Sequence, residues 1–159
     1  MKGKSKEQIA HFFNDVSDTM GNHLLHICAT YGSCRSSPHV LIELSNLLPD
    51  DVMNELLDVE FLEVDPLTRR DKETPLHTAV RYANERDATL GDAMVKMLVE
   101  AGSDPRMRDG HGRKPAETCT PRSEGAKATL QQEEYILNEG LRKEDGEHEE
   151  AAGSASDSE

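Results

Sequence analysis

The sequence predicts an all-α protein: a short solenoid of about three helix-turn-helix repeats, flanked by N- and C-terminal capping helices and followed by a disordered acidic tail. Three observations carry that expectation. Apolar residues recur at helical spacing in one segment after another, while strand patterning is weak throughout. Only 35% of the 159 residues are hydrophobic and 4% aromatic, with no Trp, which suits thin layers of Leu, Ile, Val and Ala better than one thick core. And one motif, a polar cap followed by Pro, Leu, His and small residues, comes back along the chain.

The elements follow in order. In SKEQIAHFFNDVSDTM, Ile9, Phe12, Phe13 and Val16 share a helical face and Ser5 supplies an N-cap. Residues 1–20 form the N-terminal arm and capping helix, and 21–142 the repeat domain. Within that domain HVLIELSNLL (39–48) reads as a short apolar helix. PDDVMNELLDVEFL (49–62), with Pro at its first position and Asp in its first turn, reads as an inserted helix. In KETPLHTAVRYA, Thr74 caps and Pro75 opens a helix whose Leu76, Ala79, Val80 and Ala83 make one narrow stripe. NERDATL (84–90) reads as a loop, GDAMVKMLVEAG (91–102) as a helix closed by Gly102, and LQQEEYILNEGL (130–141) as the C-terminal cap.

The motif has a register. Thr74-Pro75-Leu76-His77 is matched upstream by His23-Leu24-Leu25-His26 and downstream by Lys114-Pro115-Ala116-Glu117. His26 and His77 are 51 positions apart, Pro75 and Pro115 40. T-P-L-H-x-A, a second helix, then A-G-x-D-P resembles the ankyrin repeat, whose unit is 33 residues. The resemblance covers roughly residues 20–140. It is sharpest in the middle repeat (ETPLHTAV, MVKMLVEAGSDP) and weaker in the outer two, where Leu24 stands for Pro and Ala116-Glu117 for Leu-His. Against a 33-residue unit the first interval is long by about 18 residues, which 49–62 would fill, and the second by about 7, which 84–90 would fill. Atypical outer repeats are what an open stack requires, because each end faces water.

Charge and composition narrow the function. The formal net charge is -13, which disfavours nucleic acid backbones. No stretch has the ~18 apolar residues of a membrane span. The N-terminus lacks the apolar run of a signal peptide, and three cysteines make no disulfide framework. The expectation is a monomer of the cytosol or nucleus. His23, His26 and Cys28 mimic a metal cluster, but their spacing scatters them around a helix, and Cys28 and Cys34 lack zinc-knuckle spacing. GHGRK (110–114) lacks the phosphate-loop pattern. No cofactor, metal or catalytic residue is expected, and the chain is read as not an enzyme.

The ankyrin resemblance implies a partner held by the inter-repeat turns and the exposed side of each first helix. On this chain those positions are Arg69, Arg70 and Lys72 on one tip, Arg106, Arg108, His111 and Arg113 on the next, with Tyr31, Arg81 and Tyr82 on the helices, besides Asn22, Thr30 and Thr78. The tyrosines fit interface anchors or plain edge packing. The first tip carries net +1 (Arg69, Arg70, Lys72 against Asp71, Glu73) and the second +3, whereas 43–65 holds eight acids and no cation. Thr74, Pro75, Leu76, His77, His26 and Gly102 are the structural motif. The partner is another protein. One reading makes the chain an escort or assembly chaperone for a basic client, as the small acidic fungal ankyrin proteins it resembles in size and charge. The other makes it a scaffold or regulatory subunit whose basic tips hold an acidic segment. In the tail, 143–159, Ser154 and Ser156 each have an acid three positions on, resembling casein-kinase-type sites.

Overall fold

A computed structural model describes residues 5–32 and 52–146. Helix α1 (Lys6–Asp15) starts where expected: Ser5 and Gln8 cap it reciprocally, each side chain on the other's backbone amide at 3.2–3.3 Å. Helices α2 (Leu24–Tyr31), α3 (Val52–Leu57), α4 (Pro75–Glu85), α5 (Ala88–Glu100) and α6 (Glu124–Gly146) follow, with 3₁₀ turns at Pro115–Thr118 and Pro121–Ser123 before α6. No strand occurs among the described residues, so the all-α repeat reading is borne out.

The helices pair within repeats and stack between them. α2 lies on α3, and α4 on α5; α2 packs against α4 and α5 against α6. One core runs through the stack: Leu25, Cys28 and Ala29 of α2, Met53 and Leu56 of α3, Leu76, Ala79 and Val80 of α4, Met94, Val95 and Leu98 of α5, and Ala126 and Leu130 of α6. The residues are small because the helices are close. At Gly91 a Cβ would sit 2.5 Å from the Ala83 Cα, so only Gly lets α5 cross α4 there.

Several boundaries differ from the sequence reading. The stretch 49–62 is not one long helix. Its helical part ends at Leu57, and the chain leaves through turns in which Phe61 takes φ +67°. With Met53 and Leu56 buried, α3 occupies the second-helix place beside α2 rather than forming an appendage. Nor is 84–90 a loop. α4 runs on to Glu85, and Asp87 caps α5 by accepting from the Leu90 amide at 3.0 Å, so the extra residues lengthen both helices. Gly102, at φ +96°, closes α5 as expected, with its amide on the Val99 carbonyl at 2.9 Å. Gly140 interrupts nothing. α6 continues to Gly146, four residues into the expected tail. The expected helix at 39–48 and tail residues 147–159, including Ser154 and Ser156, lie outside the described residues.

The third repeat is truncated. Its first helix is the 3₁₀ turn Pro115–Thr118, anchored by Asn84 of α4. The Asn84 amide donates to the Thr118 carbonyl at 2.9 Å, and its oxygen accepts from the Thr120 amide and hydroxyl and the buried Ser123 hydroxyl. Asp92 of α5 then accepts the Ala126 amide at 2.9 Å, supplying from another repeat the cap that α6 needs.

Candidate functional site

Three turns project from the stack, and the first and third are built on one plan. In the first, the Asp18 amide donates to the Asn22 carbonyl at 3.0 Å, and Asp18 Oδ1 accepts the Met20 and Asn22 amides at 2.8 Å. In the third, the Asp109 amide donates to the Arg113 carbonyl, and Asp109 Oδ1 accepts the His111 and Arg113 amides, all at 2.9 Å. The middle turn departs from this. Thr68 replaces the Asp, its amide reaching the Glu73 carbonyl and its hydroxyl accepting the Glu73 amide, both at 3.0 Å, across a loop one residue longer. Positive φ is needed at one place in each turn, and Gly21 (+82°), Lys72 (+52°) and Gly112 (+77°) supply it. Two are the residue that does so freely; the lysine does so at a cost.

The motif histidines lock each repeat to the next turn. His26 Nδ1 accepts the His23 amide at 3.3 Å, which leaves the proton on Nε2 to donate to the Glu73 carbonyl at 2.9 Å. His77 repeats this with the Thr74 amide and hydroxyl on Nδ1 and the Arg113 carbonyl 2.9 Å from Nε2. Burial holds both imidazoles neutral, pushing His77 down and His26 down to about 4. In the last repeat there is no further turn to reach. Glu117 stands in for the histidine, accepts the Lys114 amide at 2.8 Å and faces water. Neighbouring turns also touch directly: the Gly110 amide donates to the Asp71 carbonyl at 2.6 Å, and the Arg69 amide to the Met20 carbonyl at 3.3 Å.

Residues 71–110 match the ankyrin repeat family, one full period from the tip of the middle turn to the tip of the third. That segment is an ankyrin repeat. The chain is 33% identical over 112 residues, 70% of its own length, to the ankyrin repeat-containing protein YGL242C of Saccharomyces cerevisiae. It spans about half the length of that yeast protein, 52%. The ankyrin match covers the middle repeat, where the sequence motif is sharpest.

The ankyrin geometry sorts the candidate residues into two groups. The third tip satisfies its own charge. Arg106 makes paired hydrogen bonds to Asp104 at 2.9 Å; Arg108 donates to the Gly112 carbonyl at 2.5 Å and lies 3.6 Å from Glu117; Arg113 grips Asp109 at 2.9 Å; Lys114 pairs with Glu134 of α6. His111 is exposed at the end of that tip. The middle tip does the opposite. Arg69, Arg70 and Lys72 are exposed and engage no carboxylate among the described residues. Of its two acids, Glu73 is taken: both its oxygens accept from Arg81 Nη1 at 2.8 Å. Three cations therefore stand against Asp71 alone, while Met20 and Leu67 present apolar surface on the neighbouring turn and the approach to this one.

The helix positions are mixed. Thr30 is exposed, with its hydroxyl turned back onto the His26 carbonyl at 2.8 Å. Thr78 is buried, 3% exposed, and so is not on the surface where the repeat register put it. Tyr82 packs over Gly32, where a Cβ would meet its Cζ at 2.7 Å, and belongs to the core edge; Tyr31 is half-buried. Among the described residues no group of three or more His, Cys, Asp or Glu is placed to hold a metal ion, and no helix is long and apolar enough to cross a membrane.

Proposed function

We infer that the chain, through its ankyrin repeat, is a protein-protein interaction module. We propose that its partner is held through an acidic segment seated on the tip of the middle turn. The supporting observation is the uncompensated set Arg69, Arg70 and Lys72, on a turn whose backbone is fixed from both sides, by the His26 ring and by Gly110. Fixed backbone keeps the cations together without a folding step on binding, which lowers the entropic cost of capture. Apolar Met20 and Leu67 beside them favour an acidic segment with interspersed hydrophobic residues.

The escort reading, for a basic client, draws on the acids of 43–65 and on the tail. Of these, Glu60 pairs with Lys6 at 2.7 Å and Asp65 holds Ser103 and the Asp104 amide, while Asp58 and Glu63 are exposed. Most of the others lie outside the described residues, so that reading stands on sequence alone.

Affinity purification with wild-type protein and an R69E/R70E/K72E variant tests the choice. The reading expects the variant to lose partners that carry acidic stretches, and 0.5 M NaCl to release the same ones, since exposed charges act over only about 8 Å at physiological salt. Equal capture by both proteins, or a captured set that is basic, would overturn it.

A further inference from the structure

We propose that the acidic tail, residues 147–159, docks within the same chain on the Arg69–Arg70–Lys72 tip and competes there with the partner's acidic segment. This rests on reading that tip as the acid-accepting site. Helix α6 lies against the third turn, where Lys114 pairs with Glu134, and continues for 12 residues past that pair, about 18 Å of helix, to Gly146. The third turn is bonded to the middle tip through Gly110 and Asp71. The tail thus starts on the side of the stack that carries the turns. Its 13 residues, EHEEAAGSASDSE, hold five acids and no Lys or Arg. At ~3.3–3.6 Å per residue they reach roughly 40 Å, more than the helix overshoot they must retrace.

Charge selects the docking place. The third tip, though nearer, has its cations on Asp104, Asp109, Glu117 and Glu134. On the middle tip three exposed cations stand with no carboxylate partner among the described residues. A tether of this length gives an effective concentration on the order of millimolar, so even a weak contact is occupied for much of the time. Phosphate on Ser154 or Ser156 would add ~1.5–2 negative charges each and shift the competition further toward the tail.

The experiment compares the full chain with a protein ending at Gly146, using a fluorescent oligoglutamate peptide as the external segment and amide NMR spectra of both proteins. Oligoglutamate is expected to bind the shortened protein, to bind the full chain roughly 3–10-fold more weakly, and to lose the shortened protein on R69E/R70E/K72E substitution. The amides of 69–73 should shift between the two proteins, and a free peptide of residues 147–159 should restore the full-chain positions. If oligoglutamate fails to bind the shortened protein, or ignores the charge reversal, the tip is not the acid site. If it binds both proteins equally and the amides of 69–73 do not move, the tip stands and the tail does not dock. A difference that fades on dilution of the full chain would place the tail on a second copy and overturn docking within one chain.

Discussion

Acidification should unlock the stack through its motif histidines before any carboxylate adds to the loss. Burial is the main force holding the His26 imidazole down at about 4; the His23 and Arg81 charges push the same way, and the Glu73 carbonyl and Asp18 oppose them. The unfolded chain would titrate this ring near 6.5. Between those two values the unfolded state binds the proton and the folded state does not, so stability is full above pH 6.5 and falls as pH drops toward 4. At about 1.4 kcal/mol per pH unit, going from pH 6.5 to 4.5 costs about 2–3 kcal/mol through His26 alone, a large share of a small domain's stability. His77, also held down chiefly by burial, adds loss of the same sign. Asp65, which burial pushes up, works against it, since its folded form takes a proton more readily than the unfolded chain. At Asp18 and Asp109 burial opposes the charge but donated hydrogen bonds outweigh it, and at Asp104 the Arg106 hydrogen bond leads; all three carboxyls stay below 3.8, so their stabilising effect is lost only under that pH. Urea unfolding followed by helical circular dichroism at half-unit steps measures the slope. H26Q, whose amide can still donate to the Glu73 carbonyl, should start less stable and show a shallower slope. A flat wild-type profile from pH 6.5 to 4.5, or equal slopes in the two proteins, would refute the assignment of the acid sensitivity to this ring.

Three further outcomes follow from close contacts. G91A should lower stability by about 1–3 kcal/mol in thermal melts, although Ala is the better helix former by about 1 kcal/mol, because the new methyl lands on the Ala83 backbone. N84A should cost about 1–3 kcal/mol by removing the acceptor shared by the Thr120 amide and hydroxyl and the buried Ser123 hydroxyl, and hydrogen exchange should speed up first in 118–126. K72G should pull two measurements apart: it relieves the positive φ and stabilises by up to about 1 kcal/mol, yet weakens oligoglutamate binding to the protein ending at Gly146 by removing one tip cation.

The repeat register was legible because its signals are local. Thr74-Pro75 opening α4, Gly102 closing α5 and Ser5 with Gln8 opening α1 each act within a few residues. Helix lengths were less legible. The polar run 84–90 looks like a loop, and only Asp87, three residues before Leu90, signalled the cap that makes it helical. The contacts that decide the site were hidden for another reason. Asp109 and Arg113, four apart, could have been paired on sequence, but Lys114 with Glu134 spans 20 residues and Arg81 with Glu73 bridges a helix and a turn. Tip charges counted along the chain thus gave the third tip the larger positive excess, when in space the middle tip is the one left open. The same holds for Thr78 and Tyr82: their place in the register names a face, while the neighbouring repeat decides whether that face meets water.

The open tip and the strained lysine have a common origin in the middle turn. Where Asp seats the turn, its second carboxylate oxygen is also used, by Asn22 Nδ2 in the first turn and by the Arg113 guanidinium in the third. Each of those turns therefore closes on itself, with Gly at the positive-φ place. With Thr68 in that role there is a hydroxyl to seat the backbone but no carboxylate to absorb a cation, and the extra residue widens the loop. Lys72 then sits where Gly would be easier, exposed at φ +52° beside Arg69 and Arg70. A turn optimised only for stability would restore Asp and Gly here. Thr and Lys instead leave exposed charge, at a cost in stability, on the one of the three turns whose backbone is clamped from both neighbours, the arrangement that the proposed docking of an acidic segment would use.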